Sequence, residues 1–161
     1  MRLTVDLSQQ VLSAWQGSVL MQRWPVSTAA NGPGEISGSG CTPRGRHVIR
    51  AKIGAGAAEG TVFKARRVAA DVRQYSAAAG AQYPGRDWIL SRILWLSGCE
   101  LGRNRLGCVD TMRRYIYIHG SPDSAEMGLP GSHGCVRMRN ADIVELFDLV
   151  PCYTEVEITE D

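Results

Sequence analysis

Apolar residues in this chain recur at every second position in short runs, and glycine or proline closes almost every run. Leu3, Val5 and Leu7 alternate with polar neighbours, and Val156 and Ile158 do the same near the other end. A period of two is the period of a strand half-buried on one face, whereas a helix repeats every 3.6 residues. With 18 glycines and 7 prolines among 161 residues, there is punctuation for many short strands and room for little helix. The pattern predicts a mainly β chain, and 161 residues is the length of a single domain spanning residues 1–161.

The runs can be placed. "VLSAWQGSVLMQRWPVS" carries two apolar stretches around Gln16-Gly17 and reads as a hairpin that opens a meander with the first strand. Thr28 to Gly45 is rich in Gly, Pro and Ser, too irregular for a strand, and reads as a surface loop. "RHVIRAKIG" and "TVFKARRVA" each read as a strand. "DVRQYSAAAGAQ" allows a short helix before Pro84-Gly85. "DWILSRILWLS" fits strand or helix by period, and its β-branched and aromatic content favours strand. "RRYIYIHG" is the clearest strand, with Tyr115, Tyr117 and His119 sharing one face. One convincing helix follows, with Asn140 as N-cap, Asp142 in the first turn, and Ile143, Leu146, Phe147 and Val150 along one side. Pro151 stops it, and "TEVEI" closes the chain as a strand.

Charge narrows the partners. Eighteen Lys and Arg against 16 Asp and Glu give a net charge of +2, which provides no electrostatic footprint for nucleic acid or an anionic membrane. No run reaches the roughly 18 apolar residues of a membrane anchor. The N-terminal "MRLTVDLSQQVLSAW" lacks the apolar segment of a signal peptide, so the expected location is the cytoplasm. A leader already removed would place the chain in the periplasm or cell envelope. Five cysteines with no repeated spacing fit reduced thiols, the rival being an exported chain bridged between Cys99 and Cys108.

The chemistry gathers in "GSHGCVRM", residues 131–138. His119 ends a strand, and Cys135 follows 16 residues later in a loop before the helix, a span that can fold back and bring imidazole to thiol. A thiol attacks as thiolate, so a neighbouring base is what a cysteine nucleophile needs. Gly134 allows a sharp turn, and the amides of His133, Gly134 and Cys135 can aim at a developing oxyanion. The same residues admit other readings. Cys135 can be a buried structural thiol, and His119 can cap its strand. His133 can simply shape the loop, Arg137 can pair with Asp142, and His119, His133 and Cys135 are all zinc-ligand types.

"IHGS" at 118–121 followed by "GLPGSHGCVRM" at 128–138 resembles the signature of the L,D-transpeptidase catalytic domain. "WPVSTA" at 24–29, "CTPRG" at 41–45 and the closing "NADIVELFDLV…TEVEI" stand in that family's order, so the resemblance covers nearly the whole chain. It implies a mixed β-sandwich or open barrel with one or two short helices and a site under a hairpin flap. Cys135 would be the nucleophile and His119 the general base, oriented by the backbone carbonyl of Gly120. Ser132, His133, Gly134 and Arg137 would shape the oxyanion hole and the acyl-donor pocket, with Tyr115 and Tyr117 along its wall. Arg137 suits a substrate carboxylate, because its planar fork binds carboxylates through two bonds.

The implied substrates are peptidoglycan stem peptides or muropeptides, cut between the L-centre of the third residue and terminal D-alanine. Carbapenems are the expected inhibitors, and neither cofactor nor metal is implied. Water as acceptor gives L,D-carboxypeptidase activity, a D-amino acid gives exchange, and a second stem gives a 3-3 cross-link. Without a leader the chain is expected to trim muropeptides rather than to cross-link the wall. A sortase-like transpeptidase and a non-catalytic wall-binding or zinc-binding module are the more distant alternatives. Arg46 and His47 stand where the family commonly has aromatic or apolar residues, and "GCELGRNRLGCVDTMRR" carries no family landmark.

Overall fold

The computed structural model describes residues 1–161 and places ten strands in one curled sheet. Strands β1 (Arg2–Asp6), β2 (Val11–Gln16) and β3 (Val19–Pro25) form the expected meander, with the β2–β3 turn at Gly17. β4 (Gly45–Ile53) pairs with the long β7 (Ile89–Gly98), so the stretch whose period was ambiguous is a strand. β10 (Glu155–Thr159) lies between β1, to which it is parallel, and β4.

The segment read as one strand at "TVFKARRVA" is a hairpin instead. β5 (Val62–Lys64) and β6 (Arg67–Val68) pair across a two-residue turn in which Ala65 and Arg66 both have positive φ. That is the geometry of a tight hairpin whose twist matches its strands, usually carried by Asn and Gly. Neither is present in the turn, which is why composition concealed it.

β7 organises the site. One edge carries β4 and then β5, and the other carries β8 (Tyr117–Ser121), to which β9 (Val136–Arg139) adds in parallel. Alternation then divides the residues between two faces. Leu94, Leu96, Ile118 and Met138 point into the main core. Ile93 and Tyr117 join Phe63 on the opposite side, with Trp95 and Cys135 packed against them.

Helix α2 (Asn140–Leu149) closes the core with Ile143, Leu146 and Phe147. Its first turn differs from expectation. Arg139 occupies the N-cap position without a side-chain bond, and Asn140 is the first helical residue. The Asn140 amide instead ties strands together, accepting from Ser91 Oγ at 2.6 Å and donating to the Ser121 carbonyl at 3.0 Å. At the other end Lys52 Nζ donates to the carbonyls of Phe147 and Val150, both at 2.7 Å, and so satisfies two of the acceptors a helix end leaves open. Helix α1 (Ala77–Gln82) is the expected short helix, with Ser76 as its N-cap.

The segment without a landmark is knitted by Asn104, which is fully buried. Its side-chain amide donates to the carbonyls of Arg44 and Arg46 and its oxygen accepts from the Glu100 amide. Beside it, His47 is buried as a neutral imidazole. Nδ1 donates to the Gly45 carbonyl at 3.0 Å, which leaves Nε2 to accept from Thr111 Oγ1 at 2.9 Å. All five cysteines are unpaired, Cys99 and Cys108 among them.

Burial lowers the His47 pKa to about 4, while the unfolded chain protonates near 6.5. Between those values only the unfolded state gains the proton, so the contribution of His47 to stability is complete above pH 6.5. It is lost as pH falls toward 4, by up to about 3 kcal/mol. Urea titrations of the wild type between pH 7 and 4 are expected to show this decline, and a His47→Gln variant should decline less steeply. Equal slopes would assign the loss to other groups.

Candidate active site

Parallel pairing of β8 with β9 sets the geometry. His119 lies opposite Arg137, and Ile118 opposite Val136. Side chains of odd number on both strands therefore share one face. Tyr117 and His119 stand on it from β8, Arg137 from β9, and Cys135, one residue before β9, projects to the same side. The Cys135 loop thus passes through a short strand before the helix, where the sequence suggested a direct step from loop to helix.

The loop is held by its own side chains and by the Thr28–Gly45 segment. Ser132 Oγ donates to the Cys135 carbonyl at 2.6 Å and accepts from the Gly134 amide at 3.2 Å. Thr42 Oγ1 donates to the Gly134 carbonyl at 2.8 Å while accepting from the Ala29 amide. The expected surface loop is thus partly buried and braces the site. Gly134 has φ +137°, and a Cβ there would press on Ile116 and the Cys41 carbonyl. Because Ser132 occupies the Gly134 amide, two amides of the expected trio, those of His133 and Cys135, donate to no other protein group.

His119 is fully buried. Its Nδ1 lies 2.6 Å from the Gly120 carbonyl. A carbonyl only accepts, so Nδ1 carries the proton and Nε2 presents a bare lone pair. Nε2 is buried without a protein partner. Gly120 has no freedom to be larger, since a Cβ would lie 2.5 Å from Asn140 Oδ1 and 2.6 Å from the Leu90 carbonyl.

The thiol is also neutral. Cys135 Sγ donates to the Tyr115 carbonyl at 3.4 Å and accepts from the Tyr117 amide at 3.3 Å. Burial pushes the Cys135 thiol up to about 12, and burial also holds His119 below the ordinary histidine range. Both shifts favour the neutral thiol and the neutral imidazole.

Tyr115 was expected on the strand of His119 but precedes it, in a turn at φ +56° with its side chain exposed. Its ring still reaches the site by packing on Trp95 at 5.9 Å. Tyr117 meets Trp95 edge-on, with ring centres also 5.9 Å apart. A cleft of about 310 Å³ runs past Cys135 between Tyr115, Tyr117, Arg66, Arg114 and Asp87. A second, of about 290 Å³, is lined by Arg137, Ser121, Trp88 and Asp87.

His133 borders both clefts with its ring exposed, Nδ1 being 4.0 Å from Asp87 Oδ2. Arg137 makes no ion pair with Asp142, and its buried Nε lacks a protein partner. Sequence reasoning missed Arg66, Asp87, Trp95 and Arg114. Arg66, Asp87 and Arg114 line the cleft and Trp95 backs its two tyrosines, all from segments with no site motif, and only Asp87, an acid following Pro84-Gly85, stood near a recognisable turn.

With His119, Gly120 and Cys135 so arranged, comparison with known proteins decides the family. The L,D-transpeptidase catalytic-domain model matches residues 1–158. This chain belongs to the L,D-transpeptidase family. It is 46% identical over 48 residues to the probable L,D-transpeptidase YbiS of Escherichia coli, a match covering 30% of this chain and 16% of YbiS. An L,D-transpeptidase from Xylanimonas cellulosilytica has the same fold at 21% identity, TM-score 0.55, covering 98% of this chain and 59% of that one. L,D-transpeptidase 3 of Mycobacterium tuberculosis, in complex with a faropenem-derived adduct, matches at 15% identity and TM-score 0.55, covering 98% and 59%. The chain spans less than two thirds of each of these relatives.

A neutral resting pair has a measurable signature. Alkylation of Cys135 by iodoacetamide should accelerate steadily with pH from 6 to 9, because the thiolate fraction grows throughout. A rate already level across that range would mean a stable thiolate–imidazolium pair.

Proposed function

We propose that this chain is a cysteine acyl-transferase acting on peptidoglycan stem tetrapeptides, with Cys135 as nucleophile and His119 as general base. The observation that carries this reading is the bare, buried Nε2 of His119 on the face shared with Cys135, fixed by donation of Nδ1–H to Gly120. Sγ attacks the carbonyl of the third residue as its proton passes to Nε2. The free amides of His133 and Cys135 supply donors for the oxyanion. Nε2 then returns the proton to the leaving D-alanine amine, and a thioester remains on Cys135.

The acceptor must enter where the amine left, because the same Nε2 serves both steps. The acyl group then lies in the cleft of Cys135 and Tyr117, and the leaving and entering groups lie beside Arg137. The second cleft, about 290 Å³, suffices for water or a free amino acid. That supports carboxypeptidase or exchange activity on free muropeptides, in the manner of cytoplasmic recycling. Asp87 favours a second reading, since its carboxylate lines the same cleft and attracts the ammonium of another stem. On that reading the product is a cross-link in the cell envelope.

Incubation with disaccharide-tetrapeptide, with and without a D-amino acid, separates these outcomes by mass. Tripeptide marks hydrolysis, a replaced fourth residue marks exchange, and dimers mark cross-linking. Cys135→Ala should abolish turnover, and His119→Gln should lower kcat/KM by roughly 10²- to 10⁴-fold. The acid limb of kcat/KM should lie below pH 6.5, because His119 is a base only when neutral and its pKa is depressed. Imipenem or faropenem should add its mass to the wild type and not to Cys135→Ala. An intact tetrapeptide alongside a consumed pentapeptide would overturn the donor assignment.

A further inference from the structure

Arg66 is an unusual residue for its position. It is the second residue of the β5–β6 turn, at φ +64°, a conformation that glycine adopts more readily than any residue with a side chain. Its guanidinium lies 5.0 Å from the Trp95 ring centre and 4.9 Å from that of Tyr115, and Nη1 donates to Tyr117 Oη at 3.0 Å. Three aromatic side chains therefore hold one cation in place. No carboxylate of the protein pairs with it, and one of its five N–H groups is used. Arg114, the other guanidinium of this cleft, donates instead to the carbonyls of Cys41 and Gly34. Arg66 is thus a fixed, unneutralised fork beside the nucleophile, with Asp87 lining the same cleft.

We propose that Arg66 is a specificity residue that binds a free carboxylate on the side chain of the third stem residue. The assignment rests on the tetrapeptide reading above, which puts that side chain in this cleft once the acyl group is on Cys135. A third residue ending in an α-amino acid, as meso-diaminopimelate does, presents a carboxylate to Arg66 and an ammonium to Asp87. Lysine presents only the ammonium, and an amidated diaminopimelate loses the anion that the fork reads. Arg suits this task better than Lys because its planar donors match a carboxylate and its face stacks on rings.

The test compares kcat/KM for three disaccharide-tetrapeptides, carrying diaminopimelate with a free carboxylate, its amide, or L-lysine. The wild type is expected to favour the free carboxylate over the amide by roughly 10- to 100-fold, mostly through KM, the size of a lost charge-assisted hydrogen bond. Arg66→Gln and Arg66→Met should bring that ratio to within about threefold of one. Using both keeps the test open, since Met retains packing on the rings, and a wild-type thermal transition identifies the variant to be scored. A ratio near one in the wild type, or one preserved in the folded variant, overturns the assignment while leaving tetrapeptide cleavage standing. If the wild type cleaves none of the three, the tetrapeptide reading fails and the role of Arg66 falls with it.

Discussion

The parallel ladder between β8 and β9 is the constraint on which the site depends. Parallel neighbours cannot be joined by a tight turn, so the chain must leave β8 after Ser121 and return at Val136 by a crossing of about a dozen residues or more. That excursion carries the Cys135 loop. Because the ladder fixes which residues face together, it places Cys135 and Arg137 on the His119 side and commits Val136 and Met138 to the core. A slip of one residue would exchange the two sets and bury the thiol among aliphatic side chains.

Burial gives the second theme. Burying His119 fully and Cys135 in part disfavours their charged forms, which depresses one pKa and raises the other. On the proposed reading, this leaves the thiol weakly reactive until an electrophile is bound. Backbone contacts do the positioning: the Gly120 carbonyl sets the imidazole tautomer, and the Tyr115 carbonyl and Tyr117 amide hold the sulfur. No acidic third member is needed, and a buried carboxylate would have carried a desolvation cost.

Much of the fold was legible because the strands obey a simple period. The meander, β4 and β10 follow from alternation and its interruption by Gly and Pro, β7 from its β-branched and aromatic content, and α2 from helical spacing stopped by Pro151. His119, Gly120 and Cys135 were legible because their motif is dense. What escaped had physical causes. The β5–β6 turn uses Ala and Arg where Asn and Gly usually stand. Asn140 resembles a cap, yet its amide serves Ser91 and Ser121, a long-range choice that local sequence does not encode. Tyr115 continues an alternating pattern through a turn, so periodicity overran the strand. Arg66, Asp87 and Arg114 belong to the site only through tertiary structure, since β5, β7 and the segment before β8 converge from distant parts of the chain.

The position of β10 bears on how the molecule comes to be made. It separates β1 from β4 and pairs with both, so residues 155–159 join two groups of strands synthesised long before. Until they emerge from the ribosome, the edges of β1 and β4 stand open with their backbone donors and acceptors unspent, which invites misassociation. Closure then depends on contacts of very long sequence separation, which slow folding. A chain cut short before β10 would therefore carry His119 and Cys135 on a β4–β7–β8–β9 piece left unjoined to the β1–β3 meander.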